Sequence, residues 1–163
     1  MQVIARNSKL WSYMAPEIRD LVEDGEMILN FVYENKQKSD ISDYSFIVFP
    51  FAKAYEGFLK RFFWDVGLIS EDEYYGDEIR IGRLLNPSYE GNSSIYNKVC
   101  KGAKGGKNVA QRLWDAWKRG RNSVFHYFPH NFRKLEYNEA LDIINDLINA
   151  MAEVVSVCLE TKK

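Results

Sequence analysis

The chain has 163 residues, 46% of them hydrophobic and 15% aromatic, which is enough apolar material for one compact domain with its own core and calls for no second domain. The net charge is −1 but unevenly spread: Lys98 to Arg121 holds eight basic residues against the single acid Asp115, a local +7 against −8 for the remainder. This excludes polyanion binding by the whole surface and leaves one basic patch for it.

The N-terminus lacks the apolar core of a signal peptide, and no run approaches membrane-spanning length. Cys100 and Cys158 are far apart and form no Cys-x-x-Cys pair. A reducing cytoplasm and no membrane partner are therefore expected.

Pro16 opens the first long helix, with Glu17 and Asp20 suited to a helix N-terminus. Its apolar positions Ile18, Leu21, Val22, Ile28, Leu29 and Val32 recur at threes and fours and carry it to about Asn35, with Gly25 weakening its middle. A polar linker runs to Asp40. Ser42 is a fitting N-cap for a second helix reaching about Gly67, in which Pro50 either bends the helix or marks its true start. This helix is apolar nearly all round, from Phe46 through Phe51, Tyr55, Phe58 and Phe62 to Trp64, as expected of a central helix or one covered by another chain. Glu56 is a carboxylate within it, either aimed at water beside Lys53 and Lys60 or reserved for a partner.

Residues 70–107 form the irregular connection, with acids at Glu71, Asp72, Glu73, Asp77 and Glu78 and a helical turn around Ile79–Asn86. Lys101-Gly-Ala-Lys-Gly-Gly-Lys107 lacks the Gly-Lys-Ser/Thr ending and the preceding strand of a phosphate loop. It reads as a flexible basic loop, and Lys98, Lys101, Lys104 and Lys107 could touch a nucleic-acid backbone.

A third helix is predicted from Asn108, as N-cap, to about Phe128, where Pro129 ends it. Ala110, Leu113, Trp114, Trp117, Gly120, Val124 and Phe128 fall on one side, and Arg112, Asp115, Arg119, Asn122 and His126 on the other. A fourth helix over about Tyr137–Thr161 carries Leu141, Ile144, Ile148, Met151, Val155 and Cys158 at steps of three and four, a bundle seam. No strand pattern competes, so the fold class is all-α, a four-helix bundle with an irregular connection between helices 2 and 3.

Both histidines of the protein, His126 and His130, lie within Arg119–His130. Their spacing of four would suit a metal, but Pro129 interrupts the helix between them and no metal site is assigned. His126 on an exposed face can titrate near neutrality, as acid–base work requires. Arg121 on an ideal helix lies about 140° from His126, toward Trp117 and Val124, and needs a compensating carboxylate, for which Glu56 is the best-placed candidate. Arg119 shares His126's face, so geometry alone favours Arg119 as its partner.

The Arg121-Asn122-x-x-x-His126 string on the third helix of such a bundle resembles the signature of the HEPN superfamily, many of whose members are ribonucleases. Ala54-Tyr-Glu-Gly-Phe-Leu-Lys60 resembles the acid-bearing second helix of these proteins, and Tyr137-Asn-Glu-Ala-Leu-Asp-Ile-Ile144 the start of their last. With Ile81-Gly-Arg-Leu-Leu-Asn86, the pattern is most similar to the HEPN domain of RNase LS-type toxins of bacterial toxin–antitoxin systems, over roughly residues 40–160. Those toxins are larger, with further domains contacting RNA or antitoxin.

The resemblance favours Arg121 over Arg119 and implies a metal-independent endoribonuclease, without cofactor, acting as a homodimer with the Arg and His of both chains in one cleft. It further implies an antitoxin partner or a role in antiviral defence. Arg121, Asn122, His126 and Glu56 would carry the chemistry, with Arg119 and Lys98–Lys107 attracting RNA. The alternative it leaves is an inactive HEPN module used for dimerisation or for protein or nucleic-acid binding.

Overall fold

The structure is a computed structural model describing residues 1–35, 40–89, 91, 94–103 and 105–159; the Asn35–Asp40 linker lies mostly outside these, as do Lys104 and the side chain of Lys107. It is all-helical, with no strand among the described residues. The helices are α1 (Lys9–Tyr13), α2 (Pro16–Asn35), α3 (Phe49–Asp65), α4 (Glu71–Tyr75), α5 (Ile81–Leu84), α6 (Gly106–Trp117), α7 (Ser123–Phe125) and α8 (Tyr137–Val154). A π turn, Lys118–Asn122, joins α6 to α7, and a second, Val155–Leu159, follows α8. Among the described residues no helix is long and apolar enough to cross a membrane.

Pro50 marks the start of α3 and does not bend it: a 3-10 turn, Ser45–Ile47, precedes the helix and proline takes its first turn, where a missing N–H costs nothing. Ser42 does not cap it: the N-cap of the turn is Tyr44, and the Asp43 carboxylate accepts from the Ser45 amide and hydroxyl. As its all-round apolar sequence requires, α3 is the central element. Phe51, Tyr55, Phe58, Leu59, Phe62 and Phe63 are all fully enclosed, with α3 packed against both α2 and α8.

Gly25 has a packing role in α2: a Cβ there would stand 2.5 Å from the Phe51 ring, so glycine lets α2 and α3 close on each other. The Tyr55 hydroxyl donates to the Leu113 carbonyl at 2.9 Å, joining α3 to α6 inside the core. The seam on α8 is buried at Ile144, Ile148, Met151, Val155 and Cys158.

The third helix departs from the periodic reading in three ways. It starts at Gly106, with Gly105 at φ 89° as N-cap, and not at Asn108. It widens into the π turn at Lys118–Asn122. It then ends at Phe125, so that His126 (φ −98°, ψ 126°) is already extended chain. Asn122 and His126 are therefore not stacked one turn apart.

The widened turn packs closely on the facing helix. Gly120 is buried against Leu147 of α8, and a Cβ at 120 would stand 2.7 Å from Leu147 Cδ2 and 3.0 Å from Cγ. Leu147 is itself fully buried and has nowhere to go. Gly120→Ala should therefore destabilise the fold by about 1–3 kcal/mol, because overpacking outweighs the gain of up to about 1 kcal/mol that alanine normally brings inside a helix. Urea denaturation checks this; a neutral or stabilising substitution would show that Leu147 gives way to the added methyl.

Cys100 and Cys158, read as unrelated in the sequence, are joined by a disulfide with a Cα–Cα distance of 5.2 Å. It ties the segment before α6 to the π turn after α8. Such bonds persist in oxidising surroundings, so the expectation of a reducing cytoplasm gains no support from this pair.

Candidate functional site

The π turn is what positions Arg121 and Asn122. One extra residue in the turn swings everything beyond Lys118 by roughly 100° relative to an uninterrupted helix, and such insertions recur at functional sites. Arg121 faces α3, where its Nε donates to Glu56 Oε2 at 3.1 Å, and its guanidinium lies 5.2 Å from the centroid of the Trp117 ring. Both partners of the pair are partly open, with the Arg121 side chain 43% and the Glu56 side chain 30% accessible. An arginine fixed through Nε keeps its terminal donors available for a ligand.

The pair divides two hollows. On one side, a cavity of about 400 Å³ is lined by Phe49, Ala52, Lys53, Glu56, Arg121 and Phe125. The α3 residues among them recur at i, i+3, i+4 and i+7, a single helix face. Phe49 and Phe125 close it edge-to-face at 5.6 Å. On the other side, a cavity of about 290 Å³ is lined by Glu56, the turn around α5 from Ile79 to Arg83, Trp117, Arg121 and Asn122.

Arg119 is turned away from both. It pairs with Asp146 of α8, which Arg112 also approaches at 3.6 Å. The two arginines thus stand on opposite sides of the turn: Arg121 is at the hollows and Arg119 is engaged on the α8 side.

His126 is exposed past the end of α7 and lines neither hollow. The structure does not bring it to Arg121 within those cavities. His130, at φ 60°, sits in the following 3-10 turn, Pro129–Asn131, so no common helix presents the two rings. Among the described residues no group of three His, Cys, Asp or Glu side chains is arranged to hold a metal ion. Large aromatic side chains stand open around the motif: Phe49, Phe125, Tyr127 and Phe132.

The histidine-bearing loop is held by a residue that periodicity did not single out. Besides accepting from Ser45, Asp43 accepts from Asn131 Nδ2 at 2.9 Å and the Leu135 amide at 3.1 Å. Burial opposes its ionisation, but the hydrogen bonds from Ser45, Asn131 and Leu135 prevail and hold its carboxyl at about 2. A depressed carboxyl contributes stability that is complete above its unfolded value near 4 and is lost as pH falls toward 2. The anchorage of the loop is therefore intact at neutral pH. The Asp-x-Ser turn ahead of α3 was the available signal.

Of the basic patch, Lys98 and Lys101 line a separate hollow with Cys100, Cys158, Phe62 and Val66. None of these residues lines the two hollows at Arg121. No family model matches the chain, and neither a curated protein nor a solved structure matches it.

Proposed function

We propose that the protein is a HEPN-like, metal-independent endoribonuclease whose four long helices, α2, α3, α6 and α8, serve as a four-helix bundle presenting Arg121, Asn122 and His126. The observation that carries this reading is the Arg121–Glu56 pair, in which a half-open guanidinium is fixed from behind by a carboxylate at the meeting point of two hollows.

The chemistry asks little else of the protein. RNA carries its own nucleophile: the 2′-hydroxyl attacks the adjacent phosphorus, its proton passes to a base, and the P–O5′ bond breaks as the departing oxygen takes a proton from an acid. The products are a 2′,3′-cyclic phosphate and a 5′-hydroxyl. Arg121 holds the phosphate and stabilises the charge that develops on it, Asn122 hydrogen-bonds the phosphate or ribose, and His126 moves the protons.

Because His126 lines neither hollow, the reading calls for a second chain, whose Arg and His would meet the first in one cleft. The open aromatics Phe125 and Tyr127 beside His126 suit burial against that partner. An antitoxin partner and a place in toxin–antitoxin or antiviral defence belong to the same reading. Those open aromatics also favour the second reading, a HEPN module that dimerises or binds without turnover.

Incubation of mixed-sequence RNA with the purified protein in excess EDTA separates the two. Cleavage is expected to persist in EDTA. RNA that is bound but never cut would leave the binding module; cleavage only with added metal would overturn the proposed chemistry.

A further inference from the structure

The hollow between α5 and the π turn has features that the chemistry above does not use. Its lining sets the guanidiniums of Arg80, Arg83 and Arg121 against the single carboxylate of Glu56. Acids are near: Asp72, Glu73, Asp77 and Glu78 line the adjoining depression with the same two arginines. Yet among the described residues none of them forms an ion pair with Arg80 or Arg83. Glu73 is committed elsewhere, its carboxylate accepting from the Ser70 amide in the capping box of α4.

The two arginines are instead held by neutral groups. Arg80 Nη1 donates to the Asp77 carbonyl at 2.6 Å, and Arg83 donates to the Tyr89 hydroxyl with its guanidinium 4.7 Å from that ring's centroid. Each guanidinium has five donors, so both keep donors free, and neither charge is neutralised by its neighbours.

The floor supplies a second, independent sign. Trp117 is 4% exposed, and its indole Nε1 has no hydrogen-bond partner. A buried donor left unmade is destabilising and calls for an acceptor. Nε1 is buried against Gly82, where a Cβ would stand 2.6 Å from it, so glycine keeps a side chain off the donor in the floor of the hollow. At about 290 Å³ the space is small for an organic ligand pocket and fits a compact acceptor-rich anion.

The geometry points to a phosphate subsite here: Arg80 and Arg83 grip the RNA phosphate neighbouring the one on Arg121, above the unpartnered Trp117 Nε1 in the floor. That the polyanion is RNA rests on the ribonuclease reading. Arg80 and Arg83 are binding residues that fix the register of the strand and take no part in proton transfer.

The test is binding, not turnover: a single-stranded oligoribonucleotide with 2′-O-methyl sugars cannot be cut, and its affinity is measured by fluorescence anisotropy across a salt series. For the Arg80→Ala/Arg83→Ala protein, affinity should fall at least about ten-fold. The slope of log affinity against log salt should shrink by about 0.7 for each phosphate charge that the protein no longer neutralises, roughly 1.4 for two. The Arg80→Lys/Arg83→Lys protein, which keeps the charges, should retain most of the slope, a rescue that a merely structural role would not produce. Both arginines are exposed, so the thermal transition should be unmoved. An unchanged salt slope in the double-alanine protein, or a wild type that binds no oligonucleotide, would overturn the subsite. Salt-dependent binding through Arg80 and Arg83 without cleavage of ordinary RNA would instead remove the nuclease reading and leave the subsite standing.

Discussion

Replacing Arg121 with alanine is expected to lower RNA cleavage by roughly 10²–10³-fold, the range for removing one preorganised donor to a developing oxyanion, while the fold remains in place. The two effects separate because of where the pair sits. Arg121 and Glu56 are partly solvated, so breaking their ion pair should cost under about 1 kcal/mol of stability after solvent screening. The fork of donors has no substitute at the hollows, and Arg121→Lys, which restores the charge but not the planar fork, should recover only part of the rate. Glu56→Gln should fall between the two, since it loosens the guanidinium without removing it. Arg119→Ala is the informative control: Arg119 is engaged with Asp146, and Arg112 remains to satisfy that carboxylate. Near-normal cleavage is expected of it. An inactive Arg119→Ala protein beside an active Arg121→Ala protein would show that the motif has been read in the wrong register.

Opening the Cys100–Cys158 disulfide should produce the largest change in stability. The bond spans a sequence separation of 58, and the chain-entropy scale for a loop of that size gives roughly 4 kcal/mol, against a usual range of about 2–4 kcal/mol. At about 2–4 °C per kcal/mol for a domain of this size, the thermal midpoint should drop by roughly 5–15 °C on addition of reductant. The Cys100→Ser/Cys158→Ser protein should melt at the lower temperature and ignore reductant. A midpoint that reductant leaves unmoved, together with two titratable thiols in the untreated protein, would show that the bond is not formed. Lys98 and Lys101 flank Cys100, so the bond also fixes part of the basic patch to the end of α8.

Helical periodicity carried the long elements well, because burial of one face is a local pattern. Pro16 and Asn35 bound α2 as expected, and the seam from Ile144 to Cys158 is the buried face of α8 and the turn after it. The Glu56–Arg121 pairing was also accessible, since a guanidinium directed toward apolar neighbours demands a carboxylate and α3 has few to offer. What periodicity could not supply is anything decided across the core. The widened turn at Lys118–Asn122 packs through Gly120 on Leu147, 27 positions away, and the end of the helix at Phe125 and the extended backbone of His126 were out of reach. The same holds for Cys100 and Cys158, whose separation hides their proximity. Arg80 and Arg83 were not singled out in the sequence, where nothing ties them to Trp117, whose unpartnered indole lines the same hollow.

The most direct measurement is cleavage of a mixed RNA substrate by wild-type and His126→Ala protein side by side in EDTA, with the chemistry of the product ends read out. His126 is exposed and outside the core, so its replacement should leave the fold and any dimer intact while removing a proton-transfer group that contributes about 10²–10⁴-fold. The expected result is 2′,3′-cyclic phosphate and 5′-hydroxyl ends from the wild type, and at most a trace from His126→Ala. Equal cleavage by the two proteins, or wild-type products ending in 3′-hydroxyl and 5′-phosphate, would contradict the proposed ribonuclease.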